Sequence, residues 1–224
     1  MVKKVRDNMF LREINQDNNL RSYILFTLAY NGMPTLKNIK PSSFIHFQRK
    51  YMNEINNFHI ILKNELDKFE CSYEVIYSDI KSLYILFYQE QQLKVLLNNY
   101  CNNSILLGNG YGVGENSIQT VLEVFKARYE KHMLLKTEFP HELGLFLGYP
   151  LLDVEGFINN DGKNYLMNGY WKVYQNVEYA LNTFKIYTYL RKEAEKFYTQ
   201  GCDLTGCCTQ TLSKQIRPVD IDLI

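Results

Sequence analysis

Along the chain, apolar residues recur in runs whose period switches several times between helical and extended. Over Ser22–Tyr30, Ile24, Leu25, Leu28 and Ala29 keep the spacing of one helix face, and Asn31-Gly32 with Pro34 predicts its end. Lys40-Pro41-Ser42-Ser43 reads as a turn into a short strand, Phe44–Phe47. Tyr51–Phe69 repeats Ile55, Phe58, Ile61, Leu62, Leu66 and Phe69, the stripe of an amphipathic helix. Ser72–Tyr77 alternates and Ser82–Tyr88 is a continuous apolar run, so the short Asp79-Ile80-Lys81 link predicts an antiparallel hairpin. Two helices, Glu90–Asn99 and Ser117–His132, flank a glycine-rich connection. A strand over His141–Leu147 follows, then a break at Gly148-Tyr149-Pro150 and a short helix, Leu151–Ile158, with Pro150 near its first turn. A turn at 159–162, a strand over Tyr170–Tyr174 and a long helix, Val177–Thr199, complete the pattern.

This alternation, without internal repeats or low-complexity linkers, predicts an α+β fold. The expected organisation is a flexible N-terminus over 1–16, one domain over 17–199 and an irregular tail over 200–224. Phe44–Phe47, Ser72–Tyr77, Ser82–Tyr88, Leu143–Leu147 and Tyr170–Tyr174 are expected to share one mixed sheet of about five strands, with helices packed on it.

Composition narrows the function classes. The 224 residues are 46% hydrophobic, with 18 Tyr and 13 Phe, ample for a folded core. A formal net charge of +1 supplies no general pull toward nucleic acid. The longest apolar runs are strand-sized, well short of a membrane span, and the basic start MVKKVRDNMFLREINQ lacks the apolar segment of a secretory signal. Five cysteines, odd in number and mostly far apart, do not form a disulfide framework. A reduced, cytoplasmic setting is the expectation, with neither nucleic acid nor membrane as partner.

The densest pattern is Glu138–Ile158, EFPHELGLFLGYPLLDVEGFI, followed by Gly169–Tyr174, GYWKVY. Together with Pro34-Thr35-Leu36, Ile39-Lys40-Pro41 and Ser43-Phe44, these segments resemble a bacterial family catalogued as a domain of unknown function, found mainly in anaerobic Firmicutes. The resemblance covers about residues 28–199. It implies a bacterial cytosolic origin and supplies no reaction. Family members encoded beside flavodoxin or iron-uptake genes imply a redox or iron-handling protein as partner. Relatives carry cysteine where this chain has Asn31-Gly32-Met33 and Asn168, so a thiol chemistry at those positions is absent here.

Within the motif, His141 and Glu142 are the candidate catalytic pair: histidine exchanges protons near neutral pH, and a carboxylate orients a partner or binds a cation. On a regular strand the two would face opposite ways, and only an irregular backbone after Pro140 would let both reach one site. The competing reading is a turn-capping His and a Glu paired to a basic residue. Lys40 with Ser42 and Ser43 groups a cation with hydroxyls suited to a carboxylate or phosphate. Tyr149 at the glycine-bounded corner and Lys172 beside Trp171 complete the candidate ligand-binding set, although a lysine on a strand more often marks a solvated face.

Two superficial signals are set aside. Gly108–Gly114 lacks the G-x-G-x-x-G register and no buried strand precedes it, so an exposed helix–helix connection is expected. Cys202, Cys207 and Cys208 in CDLTGCC lack metal-ligand spacing, so no metal site is assigned, and no cofactor is identifiable. Two functions follow: binding or turnover of a small polar or anionic ligand around His141, or a non-catalytic accessory protein that binds a partner through an apolar surface.

Overall fold

The structure, a computed structural model, describes residues 20–52, 55–101, 103–111 and 117–199. The expected flexible N-terminus, the C-terminal tail with Cys202, Cys207 and Cys208, and Gly112–Gly114 lie outside the described residues. Helix and strand are both present, in the order α1 (Leu20–Leu36), β1 (Ser42–Gln48), a 3-10 turn (Arg49–Tyr51), α2 (Ile55–Asp67), β2 (Cys71–Ser78) and β3 (Ser82–Gln89). Then come α3 (Glu90–Tyr100), α4 (Ser104–Gly108), α5 (Ile118–Leu135), α6 (Leu143–Phe146), α7 (Leu151–Asn159), β4 (Met167–Asn168), β5 (Lys172–Val173) and α8 (Val177–Thr199). No helix among the described residues is long and apolar enough to cross a membrane.

The predicted hairpin forms. β2 and β3 pair antiparallel, with a register shift between Val75 and Tyr77. Asp79 Oδ1 accepts from the backbone N–H of Lys81 and of Ser82, both at 2.7 Å, which closes the tight turn locally. β1 joins the other edge of β3, also antiparallel, giving the order β1-β3-β2. β3 is continuously apolar because both its faces are covered. Leu83, Ile85 and Phe87 enter a core with α1, α2 and α8, whereas Leu86 and Tyr88 enter a second core with α3, α5 and α6. The alternation of a strand assigns the two sets.

The expected five-stranded mixed sheet is corrected to a three-stranded sheet and a separate two-stranded one, both antiparallel. Leu143–Leu147 is not a strand. Bonds from Phe146 N to Glu142 O (3.2 Å) and from Leu147 N to Leu143 O (2.9 Å) coil it into α6. Leu143, Leu145 and Phe146 are all buried, and a short segment apolar on every side has the same signature in either conformation. Within Tyr170–Tyr174, only Lys172 and Val173 pair, with Asn168 and Met167. Trp171 and Val173 nevertheless enter the same core as β1 and β3.

The end of α1 also departs from expectation, since the helix runs through Asn31, Gly32 and Pro34 to Leu36. Pro34 has no N–H to offer the Tyr30 carbonyl, and Arg191 Nε of α8 donates to it instead at 3.4 Å. Gly32 persists inside the helix because a Cβ there would stand 2.2 Å from the Phe87 ring. Close packing of α1 on β3 outweighs the breaker propensity.

A buried carboxylate ties the motif segments together. Asp153 of α7 accepts from Trp171 Nε1 (2.7 Å), Tyr174 N (2.7 Å) and Gln175 N (3.0 Å). Tyr174 then lies against Gly156, where a Cβ would come within 2.5 Å of its ring. The Tyr174 hydroxyl is buried and has no hydrogen-bond partner among the described residues.

Two stability outcomes are expected. Asp153→Ala leaves three donors without their acceptor and should lower stability by roughly 3–5 kcal/mol, measured by urea denaturation. Tyr174→Phe removes an unpartnered buried hydroxyl, so its melting temperature should equal or exceed that of the wild type.

Candidate functional site

The backbone after Pro140 is a turn. Leu143 N bonds to Pro140 O (3.1 Å) and Gly144 N to His141 O (2.9 Å), so His141 and Glu142 project side by side where a strand would have separated them. Both line one open cleft of about 350 Å³. Its walls come from α4 (Ser104, Ile105) with Asn109, from α5 (Arg128), from the Glu138–Glu142 segment and from α7 (Glu155, Ile158, Asn159).

Glu142 is completely buried. Its Oε1 accepts from Arg128 Nε at 2.5 Å and from the Tyr111 hydroxyl at 3.0 Å, while Arg128 Nη2 lies 3.4 Å from Oε2. Burial, then the neighbouring Glu142 carboxylate, drives the Tyr111 phenol well above its ordinary pKa, so it remains a proton donor. A carboxylate out of water is tenable only when paired and hydrogen-bonded, and this one is. His141 packs between the rings of Phe139 (5.5 Å between centroids) and Phe157 (5.1 Å) and is partly exposed.

The rest of the cleft is rich in acceptors. Glu138 is exposed; Glu155 is half-buried, and its Oε1 accepts from Asn103 Nδ2 at 3.3 Å. Asn109 spends its Nδ2 on the Ile105 carbonyl (2.6 Å), which leaves its side-chain oxygen as the group to offer. The lining thus carries three carboxylates against one guanidinium that is already engaged. Among the described residues, no group of three or more His, Cys, Asp or Glu is placed to hold a metal ion.

The remaining expected ligand residues do not line this cleft. Ser42 and Ser43 are buried, the first donating to Phe146 O (2.6 Å) and the second sharing a hydrogen bond with Thr35 (2.8 Å), so they fasten β1 to α6 and α1. Lys172 Nζ donates to Gly162 O at 2.5 Å and lies over the rings of Phe157 and Tyr165, bracing the turn after α7. Lys40 and Tyr149 meet each other elsewhere. Lys40 Nζ is 5.7 Å from the Tyr149 ring centroid and 5.9 Å from that of Tyr187. Burial lowers the Lys40 ammonium from 10.5 to about 8 and pushes the Tyr149 phenol up to about 12. The ring faces favour the ammonium by roughly 0.5–2 kcal/mol, and desolvation outweighs them.

Arg128 lies outside the sequence motifs, whereas Glu138 and Glu155 stand within Glu138–Ile158 and Asn109 and Tyr111 within Gly108–Gly114 without being singled out there. Arg128 had one legible sign: it follows Phe125 by three residues and adjoins Tyr129, a charge at the margin of the buried stripe of α5. Such a position demands a buried counter-charge, here Glu142.

A family model described as "Protein of unknown function (DUF3793)" matches residues 28–207. No curated protein and no solved structure matches the chain.

Two outcomes test these geometries. Arg128→Met strands the Glu142 carboxylate and should cost about 3–5 kcal/mol by denaturant titration, whereas Arg128→Met with Glu142→Leu should recover much of that loss. For Lys40, the folded chain binds fewer protons than the unfolded chain from pH 8 to 10.5, so the burial penalty is full below pH 8 and fades as pH rises toward 10.5. Lys40→Met should therefore melt higher than the wild type at pH 7, with the gap narrowing toward pH 10.

Proposed function

For this chain, which belongs to the DUF3793 family, we propose that the cleft between α4, α5 and α7 binds a small polar ligand through its hydrogen-bond donors. The observation that carries this reading is the charge inventory of the lining: Glu138, Glu142 and Glu155 against Arg128 alone, with Arg128 bound to Glu142. A carboxylate or phosphate ligand would enter among like charges, whereas an amine or a polyhydroxylated molecule finds acceptors at Glu138, Glu155 and the Asn109 oxygen. Ile105, Phe139 and Ile158 give such a ligand an apolar wall, the mixture expected of small-molecule sites. His141 is the lining imidazole, able to donate or accept a hydrogen bond with such a ligand. The Arg128–Glu142–Tyr111 cluster positions the His141 turn from behind.

A second reading, an accessory protein that docks a partner, is favoured by a different observation. Leu134 and Leu135 end α5 with relative exposures of 63% and 68%, adjacent apolar side chains where a solvated helix end would carry polar ones.

Calorimetric titration with diamines, amino sugars and polyols, and separately with phosphate and dicarboxylates, tests the first reading. Donor-rich compounds should bind, and binding should fall at least about tenfold in Glu138→Gln/Glu155→Gln, which removes charge and keeps shape. Binding of the anions alone, unaffected by that double substitution, would sink the cleft assignment.

A further inference from the structure

We propose that Asn168 is a self-modification site, where the backbone nitrogen of Gly169 closes on the side-chain amide and water then converts the asparagine to isoaspartate. The chain has three Asn-Gly pairs, at 31–32, 109–110 and 168–169. Glycine has no side chain to shield its backbone nitrogen, so each pair holds both reactants and the fold decides which can meet. Two pairs are withheld. Asn31 and Gly32 lie inside α1, where Gly32 is buried and Asn31 Nδ2 donates to Thr27 O at 3.1 Å. The helical backbone bonds keep the Gly32 nitrogen away from that amide. Asn109 caps the end of α4, with Nδ2 donating to Ile105 O (2.6 Å), and Gly110 N donates to Leu107 O at 3.3 Å. Turning the Asn109 amide carbon onto the next nitrogen would break both bonds.

Asn168 differs. It ends β4, both it and Gly169 are exposed, and its side chain makes no hydrogen bond among the described residues. One bond stands in the way, from Gly169 N to Trp171 O (3.0 Å). The strand pair around it is short: Met167 faces Val173, Asn168 faces Lys172, and Leu166 N donates to Val173 O at 2.8 Å. A two-stranded pair of this length opens locally with little cost. Once it opens, the Gly169 nitrogen attacks Cγ of Asn168 and gives up its proton, the bond from Cγ to the amide nitrogen breaks, and ammonia leaves with that proton. Water then opens the cyclic imide at either carbonyl, yielding aspartate or, with the backbone rerouted through the side chain, isoaspartate. Water enters and ammonia leaves, and no oxidant, reductant or cofactor is consumed. The consequence reaches the cleft. Isoaspartate adds a methylene to the backbone just before Trp171, whose Nε1 bonds Asp153 of α7 at 2.7 Å. Helix α7 supplies Glu155, Ile158 and Asn159 to the cleft wall, so the modification loosens the anchor of that wall.

Incubation of the full chain in warm, mildly alkaline buffer, read over time by peptide mass spectrometry with isoaspartate resolved from aspartate, tests the proposal. In the folded chain Asn168 should convert at least about tenfold faster than Asn31 or Asn109, the protection that local structure gives the other two. In the urea-unfolded chain the three rates should converge, which assigns the difference to the fold. The melting temperature of the wild type should fall as the Asn168 product accumulates, whereas Asn168→Gln, aged alike, should keep its starting value. Conversion of Asn168 no faster than that of Asn109, a lead that survives in urea, or equal loss of melting temperature in the aged variant would overturn the assignment.

Discussion

The constraint on which the rest of the structure depends is that β3 must be covered on both faces. A three-stranded sheet is narrow, and its central strand carries large apolar side chains on each side, so helices have to close over it twice. Leu83, Ile85 and Phe87 call for α1, α2 and α8, whereas Leu86 and Tyr88 call for α3, α5 and α6. The second group brings the His141 turn to the Arg128 face of α5. The cleft therefore follows from sheet coverage, since α6 is the short element that fills the remaining gap with Phe146 packed on Phe125 at 5.2 Å.

Buried carboxylates fasten the irregular segments that coverage alone leaves loose. Asp153 holds Trp171 and the Tyr174–Gln175 backbone, and Glu142 holds the turn after Pro140 to α5. Both replace a ladder of backbone bonds by a few charge-assisted ones, each stronger than a neutral bond and each costly to break. For this reason a stretch with little regular structure retains a dense sequence pattern. Its polar residues are largely occupied in holding the chain, and the groups left for a ligand are those at the cleft rim.

Helices with one buried face were legible from the sequence, and elements set by distant partners were not. The helices α2, α3 and α8 follow their apolar periods because each buries a single face, even where several neighbours meet it, as α1 and β2 meet α2. Leu143–Leu147 was misread as a strand because burial on all sides erases the period, and α1 overran its breakers because Arg191 and Phe87 compensate them from 157 and 55 positions away. The α+β class was readable; the size of the sheet was not, since two-residue strands leave no alternating pattern. At the site, a strand was expected from His141, with irregular backbone after Pro140 as the condition for His141 and Glu142 to share a cavity, and the structure has a turn there. Lys40, Ser42 and Lys172 were grouped with them through residue type alone, and type does not encode which side of β3 a residue ends on.

The same division explains why neighbouring residues of the motif differ in kind. Glu142 is fully buried and saturated by Arg128 and Tyr111, so its charge is committed to structure. His141, one residue earlier, is held among the described residues by ring contacts with Phe139 and Phe157, and no hydrogen bond to its ring nitrogens is made among them. A side chain oriented by apolar contacts keeps its hydrogen-bonding capacity for a ligand, whereas one oriented by ion pairs has spent it. By that criterion the ligand site proposed for the cleft rests on His141 and not on Glu142.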